Sequence, residues 1–94
     1  MVTTTKLEPV IPNPARGAAS LKYSLAKRGP VDLAIYSVDG RRVKSLSHGV
    51  QEAGQYQVSW NGTDERGGVI KSGVYFIRLE AAGVRQTRLF TLVR

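Results

Sequence analysis

Ninety-four residues, 41% hydrophobic and 22% charged, make one small globular domain and are too apolar for a disordered chain. Cysteine is absent and His48 is the single histidine, which excludes a disulfide framework, thiolate zinc sites and histidine-pair metal sites. Fourteen Lys and Arg against seven Asp and Glu leave a net charge of +7, a balance that favours acidic partners.

The chain opens on Met1-Val2-Thr3-Thr4-Thr5, which has neither a basic n-region nor an apolar h-region and is not a signal peptide. Residues 1–6 are expected to be a disordered leader or linker remnant, with Met1 set before an excised upstream segment and one domain filling 7–94. Leu7 to Ile11 is a short apolar run, stopped at Pro12-Asn13-Pro14, where two prolines forbid ladder pairing and impose an extended corner. From there the pattern has period two. Leu21, Tyr23 and Leu25 alternate with Ser20, Lys22 and Ser24, as a half-buried strand requires.

Lys27 to Pro30 turns the chain into a second strand with Val31, Leu33 and Ile35 on one face and Tyr36 on the outer one. Asp39-Gly40 is a hairpin signal, because both residues tolerate positive φ, and Val43 to Ser47 is the return strand. His48 to Gly54 reads as a loop. Tyr56, Val58 and Trp60 alternate with Gln55, Gln57 and Ser59, and Asn61 to Gly68 is a polar loop. Val69-Ile70 makes a short edge and Ser72-Gly73 breaks it. Val74 to Ala81 is a strand with Tyr75, Ile77 and Leu79 inward, and Ala82-Gly83 turns into the last strand, Val84 to Val93. The inner face of that last strand stays open between Leu89 and the Phe90, Leu92 pair. Seven or eight short strands without a helical period predict an all-β antiparallel sandwich, with Trp60 as core plug facing Tyr23 and Tyr75.

The cations fall in small sets, Lys27 and Arg28, then Arg41, Arg42 and Lys44, then Arg85, Arg88 and Arg94. None forms a long run or interleaves with aromatics, so a scattered basic surface is expected rather than a nucleic-acid platform. No apolar stretch approaches the roughly 20 residues of a transmembrane segment. His48 sits in its expected loop without an orienting carboxylate nearby in sequence, which gives a hydroxyl nucleophile no base and predicts no enzyme. The loop Asn61-Gly-Thr-Asp64-Glu65-Arg66-Gly67-Gly68 has two carboxylates where a calcium site wants more. Side chains capping turn amides are the reading there, and no metal or other cofactor is expected.

Three segments then carry a family likeness. Val31-Asp-Leu-Ala-Ile-Tyr-Ser-Val-Asp-Gly-Arg-Arg-Val43, Tyr56-Gln-Val-Ser-Trp-Asn-Gly-Thr-Asp-Glu-Arg-Gly67 and Ser72-Gly-Val-Tyr-Phe-Ile-Arg-Leu79 together resemble the Ig-like domain of the flagellar hook-capping protein, FlgD. The chain looks still more like the related C-terminal sorting domains of type IX secretion cargo. Pro12-Asn13-Pro14 resembles their Pro-Asn-Pro element, Gly73-Val74-Tyr75 their Gly-x-Tyr element, and Arg88 to Arg94 their closing basic and apolar strand. The chain departs from that pattern at Asn61, where Asp is usual, and at Arg88, where Lys is common.

The resemblance implies a non-catalytic sorting and anchoring domain, secreted or held at the cell surface after passage through the periplasm and outer membrane. Its implied partners are outer-membrane translocon components and an N-terminal cargo enzyme or adhesin, with the domain itself monomeric. The residues implied in sorting are Pro12, Asn13, Pro14, Gly73, Tyr75, Arg88, Leu92, Val93 and Arg94. A structural spacer or accessory module of an extracellular enzyme is the alternative. Two structural expectations accompany the sorting residues. A side chain at Gly73 collides before Val74, and loss of Leu92 to Arg94 from an edge strand leaves the core intact.

Overall fold

The computed structural model describes residues 4–81 and 83–93, so Arg94 lies outside the described residues. Eight strands follow in chain order, β1 Lys6–Leu7, β2 Ala15–Arg16, β3 Ala19–Leu25, β4 Gly29–Ser37, β5 Arg42–Gln51, β6 Gly54–Trp60, β7 Gly73–Ala81 and β8 Val84–Val93. They form two layers, a three-stranded sheet in the order β1-β3-β6 and a five-stranded sheet in the order β2-β8-β7-β4-β5. The expected all-β, Ig-like sandwich is the observed architecture. One pair departs from an antiparallel plan, since Ala15 and Arg16 run parallel to Leu92 and Val93.

Period-two alternation builds the core as the sequence requires. Leu21, Tyr23 and Leu25 of β3 and Leu33 and Ile35 of β4 are buried, as are Trp60 of β6 and Ile77 and Leu79 of β7, while Val58 and Tyr75 pack against them half-buried. The frame of β8 is settled by Phe90 at 2% and Leu92 at 0% exposure against Leu89 at 59%. With Phe90 inside, Trp60 meets that ring edge-on at 5.7 Å rather than facing Tyr23 and Tyr75. Tyr75 reaches Phe90 from the other side at 6.1 Å, and Tyr23 instead stacks on Tyr56 at 5.1 Å.

Three local expectations need correction. His48 to Gln51 is strand, not loop, because β5 continues along β4 with Asp32 opposite His48 and Gly29 opposite Gln51. Two register shifts make room for this extension, and the residues left without a partner in β4, Val43 and Leu46, turn their side chains against the core. Tyr36 does lie on the outer face but is buried there, because Arg78 spreads its guanidinium over the ring at 4.2 Å and donates to the Tyr36 hydroxyl at 2.8 Å. Val69 makes only an isolated bridge with Thr63. Where a linker was expected, Lys6 pairs with Ser24, Thr5 Oγ1 accepts from the Ala26 amide at 3.1 Å, and the Ser24 hydroxyl donates to the Thr4 carbonyl at 3.0 Å.

Candidate functional site

Three motif-bearing segments, far apart in sequence, meet on the C-terminal half of β8. Ile11 first exchanges backbone hydrogen bonds with Ser20, at 3.1 and 2.7 Å, which anchors the chain on β3. The Ile11–Pro12 and Asn13–Pro14 peptides are both cis, and the corner they make is exposed. Across it the Asn13 carboxamide oxygen accepts from the Thr91 amide at 3.1 Å, and β2 then lies beside Leu92 and Val93. On the other flank of β8, Gly73 stands opposite Leu92 and Tyr75 opposite Phe90. The Tyr75 hydroxyl donates to the Lys71 carbonyl at 2.8 Å, holding the ring at the mouth of the core.

Arg88 serves the same junction from further back. Its position on β8 is on the same side as Phe90 and Leu92, and Nε donates to the Leu7 carbonyl at 3.1 Å. Sequence reasoning missed its partner in this task, Gln86, whose side-chain oxygen accepts from the Leu7 amide at 2.7 Å while its nitrogen donates to the Thr5 carbonyl at 3.3 Å. A signal was present. Gln86 and Arg88 occupy the inward frame that continues as Phe90 and Leu92, and polar groups in an apolar frame must find partners. Here they replace the missing ladder between β8 and β1.

Two expectations about the motif residues do not hold. A Cβ on Gly73 meets Tyr75 Cε2 at 3.8 Å, an ordinary contact, so no collision occurs. Gly73 already belongs to extended β7, where the added atom rests at van der Waals distance from the Tyr75 ring. Leu92 is fully buried between Gly73 and Ala15, so the last residues of β8 are core and not a dispensable fringe. Val93 is half-buried beside Arg16.

The turn end of the β4–β5 hairpin, at the same end of the sheet as Tyr75, holds an open hollow of about 470 Å³ where Arg41, Arg42 and Arg66 face Asp64 and Glu65. Its carboxylates are committed to backbone groups. Asp64 Oδ1 accepts from the amides of Arg66 at 3.0 Å and Gly68 at 2.9 Å, the capping expected of this loop. Glu65 accepts from the Ser45 amide at 2.7 Å and returns its own amide to the Val43 carbonyl at 3.0 Å. In the adjoining turn the Ser37 hydroxyl, followed by the Arg41 amide, holds the Asp39 carboxyl below its ordinary value of 3.8. The Tyr36 hydroxyl, with Asp32 behind it, raises the Arg42 guanidinium further above its ordinary range. Among the described residues no three His, Cys, Asp or Glu side chains converge as metal ligands. The His48 side chain is exposed on β5 and makes no hydrogen bond among the described residues.

The model of the FlgD Ig-like domain matches residues 13–84. Among solved structures, the chain is similar to FlgD from Xanthomonas campestris, described in terms of hook capping in flagellar assembly. They share 29% identity with a TM-score of 0.61 over 96% of this chain and 68% of that one. PorZ of Porphyromonas gingivalis, a surface component of the type IX secretion system, aligns at 20% identity and TM-score 0.65 over 94% of this chain. Dimeric latent PorU from the same organism aligns at 20% identity and TM-score 0.69 over 96%. These last two likenesses are of fold, and the chain spans only 11% of PorZ and 9% of PorU. No curated protein sequence matches the chain. With most of its length matched, the chain belongs to the FlgD Ig-like domain family.

Proposed function

We propose that this is a non-catalytic C-terminal sorting and anchoring domain of a secreted bacterial protein, recognised by the type IX secretion translocon. The observation that carries the reading is the meeting of Asn13, Gly73, Tyr75 and Leu92 around one strand end. Three short sequence elements of the sorting domains thereby form one structural unit. The fold likeness to PorZ and PorU supports the same direction. A charge of +7 suits approach to acidic receptor or lipopolysaccharide surfaces. The test fuses residues 7–94 to a fluorescent protein carrying a signal peptide in a host with a working type IX system. Export of the fusion supports the role, and retention of a folded fusion in the periplasm refutes it.

One observation favours a spacer module instead. Asn13, Arg88 and Leu92 spend their side chains on the domain's own backbone and core, which leaves fewer of them for a receptor. A spacer predicts that the domain, moved to an internal position of a cargo protein, supports folding and activity there and has no effect on export.

A further inference from the structure

The two layers are unequal, five strands against three, and the mismatch falls at one side. β5 is the outermost strand of the larger sheet and contributes no fully buried residue. Val43 and Leu46 turn toward the core yet remain half-buried, because the smaller sheet ends at β6 with no strand beyond it.

The backbone of β6 is poised for such a strand. Lys22 gives its carbonyl to the Glu8 amide, and Ser20 exchanges both its backbone groups with Ile11, so these residues of β3 point their N–H and C=O away from β6. Their register partners Gln57 and Ser59 are therefore non-hydrogen-bonded pairs, as is Gln55 opposite Ser24 by the same alternation. The N–H and C=O of Gln55, Gln57 and Ser59 point outward from the sheet, without partners among the described residues.

The other edges are defended in ways this one is not. β8 is tied to β1 by Gln86 and Arg88 and flanked by β2, while β5 carries two bulges and the Glu65 clamp. β6 runs in unbroken register from Gly54 to Trp60, with no charge, proline or bulge in that span.

We infer that the free edge of β6 receives an extended strand from a partner protein. That strand sets apolar side chains inward over Val58 and Leu46 and acidic side chains outward. The inward requirement follows from the half-buried residues it would cover. The outward one follows from the net charge of +7 and from exposed Lys22, which lies beside Gln57 and makes no ion pair among the described residues. A second copy fits less well, since it brings another +7 to the same edge. The inference deepens the recognition role proposed above and rests on it for the existence of a partner.

The whole chain, isotopically labelled, is titrated with a blocked synthetic peptide alternating valine with glutamate and threonine. Amide exchange is read by NMR. The expected result is new protection at Gln55, Gln57 and Ser59, whereas the Tyr56 and Val58 amides are protected already by pairing with β3. Affinity falls with added salt and with lysine in place of glutamate. Gln57→Pro deletes one outward donor, together with the exposed Gln57 side-chain bond to Ser20, leaves the β3 backbone ladder intact and weakens binding about tenfold. Should that variant not fold, the exchange pattern of the unmodified chain decides alone.

Absence of binding overturns the inference, as does protection centred on the outer face around Leu89. Protection of the three amides that grows with protein concentration in the absence of peptide assigns the edge to a second copy and also overturns it. No export machinery enters the titration. Its failure removes the strand-addition site and leaves the sorting role standing, while failed export of the fusion removes the sorting role and with it the export partner, whatever the titration shows of the edge.

Discussion

The two long sides of the sandwich solve the same problem in opposite ways. On the β1–β8 side the layers are sewn together by side chains that bond backbone, Gln86 and Arg88 to Leu7 and Asn13 to Thr91. On the β5–β6 side Tyr23 sends its hydroxyl to Gln51 at 2.6 Å between the layers, but the outward backbone of β6 is left to solvent. The difference teaches that an edge can be closed without another strand, provided amide and guanidinium groups sit where the alternation would otherwise place apolar ones. Motif residues singled out in the sequence crowd the closed side, and the open side holds the vacancy for a partner.

The comparison is most severely broken by removing the residue that joins both sides. Trp60 ends β6 and packs edge-on against Phe90 of β8, with its indole N–H donating to the Thr63 carbonyl at 2.9 Å. Trp60→Ala should cost about 3–5 kcal/mol in urea unfolding, enough to threaten a domain of this size. Leu92→Ala attacks the closed side alone, at a fully buried site, and should cost about 2–5 kcal/mol. A chain ending at Thr91 should be worse still, so export assays on such truncations must be read beside a melting curve.

Arg88→Ala should cost about 1–2 kcal/mol, since it strips the Leu7 carbonyl of a charged donor at a partly buried site. Amide exchange should accelerate at Leu7 and Glu8, which marks the loss as release of β1 rather than general softening. Gly73→Ala and Gln57→Lys should each fall within about 0.5 kcal/mol, one because its Cβ finds room and the other because its exposed side chain gives up only a surface hydrogen bond to Ser20. A large loss at Gly73 would mean that the closed side is tighter than its geometry indicates.

The smallest effect belongs to the β4–β5 turn. Asp39 is held below its ordinary 3.8 by the Ser37 hydroxyl and the Arg41 amide, so the folded state binds its proton more weakly than the unfolded chain. Its contribution is complete above the ordinary value and is lost as the pH falls through the lower folded one. An NMR titration should show the Arg41 amide shifting only in that acid range, with Asp39→Asn abolishing the shift.

Much of this molecule was legible in order along the chain. Alternation at Leu21 to Leu25 and at Tyr56 to Trp60, and the Asp39-Gly40 turn, determine strand faces through nearest neighbours, which is why they could be read without partners. The same locality explains the capping role of Asp64, whose acceptors and donors lie within four residues. What the chain alone left open depended on residues remote in sequence. The frame of β8 was decided by which face meets Trp60, and the strand character of His48 by β4 running long enough to pair with it. The parallel run of β2 along β8 and the Gln86 and Arg88 clips join residues more than seventy positions apart, and the free edge of β6 exists only because one sheet stops short of the other. Local periodicity carries no information about how many strands each layer receives. That number is set when the layers close on one another, and it left β6 with backbone to offer.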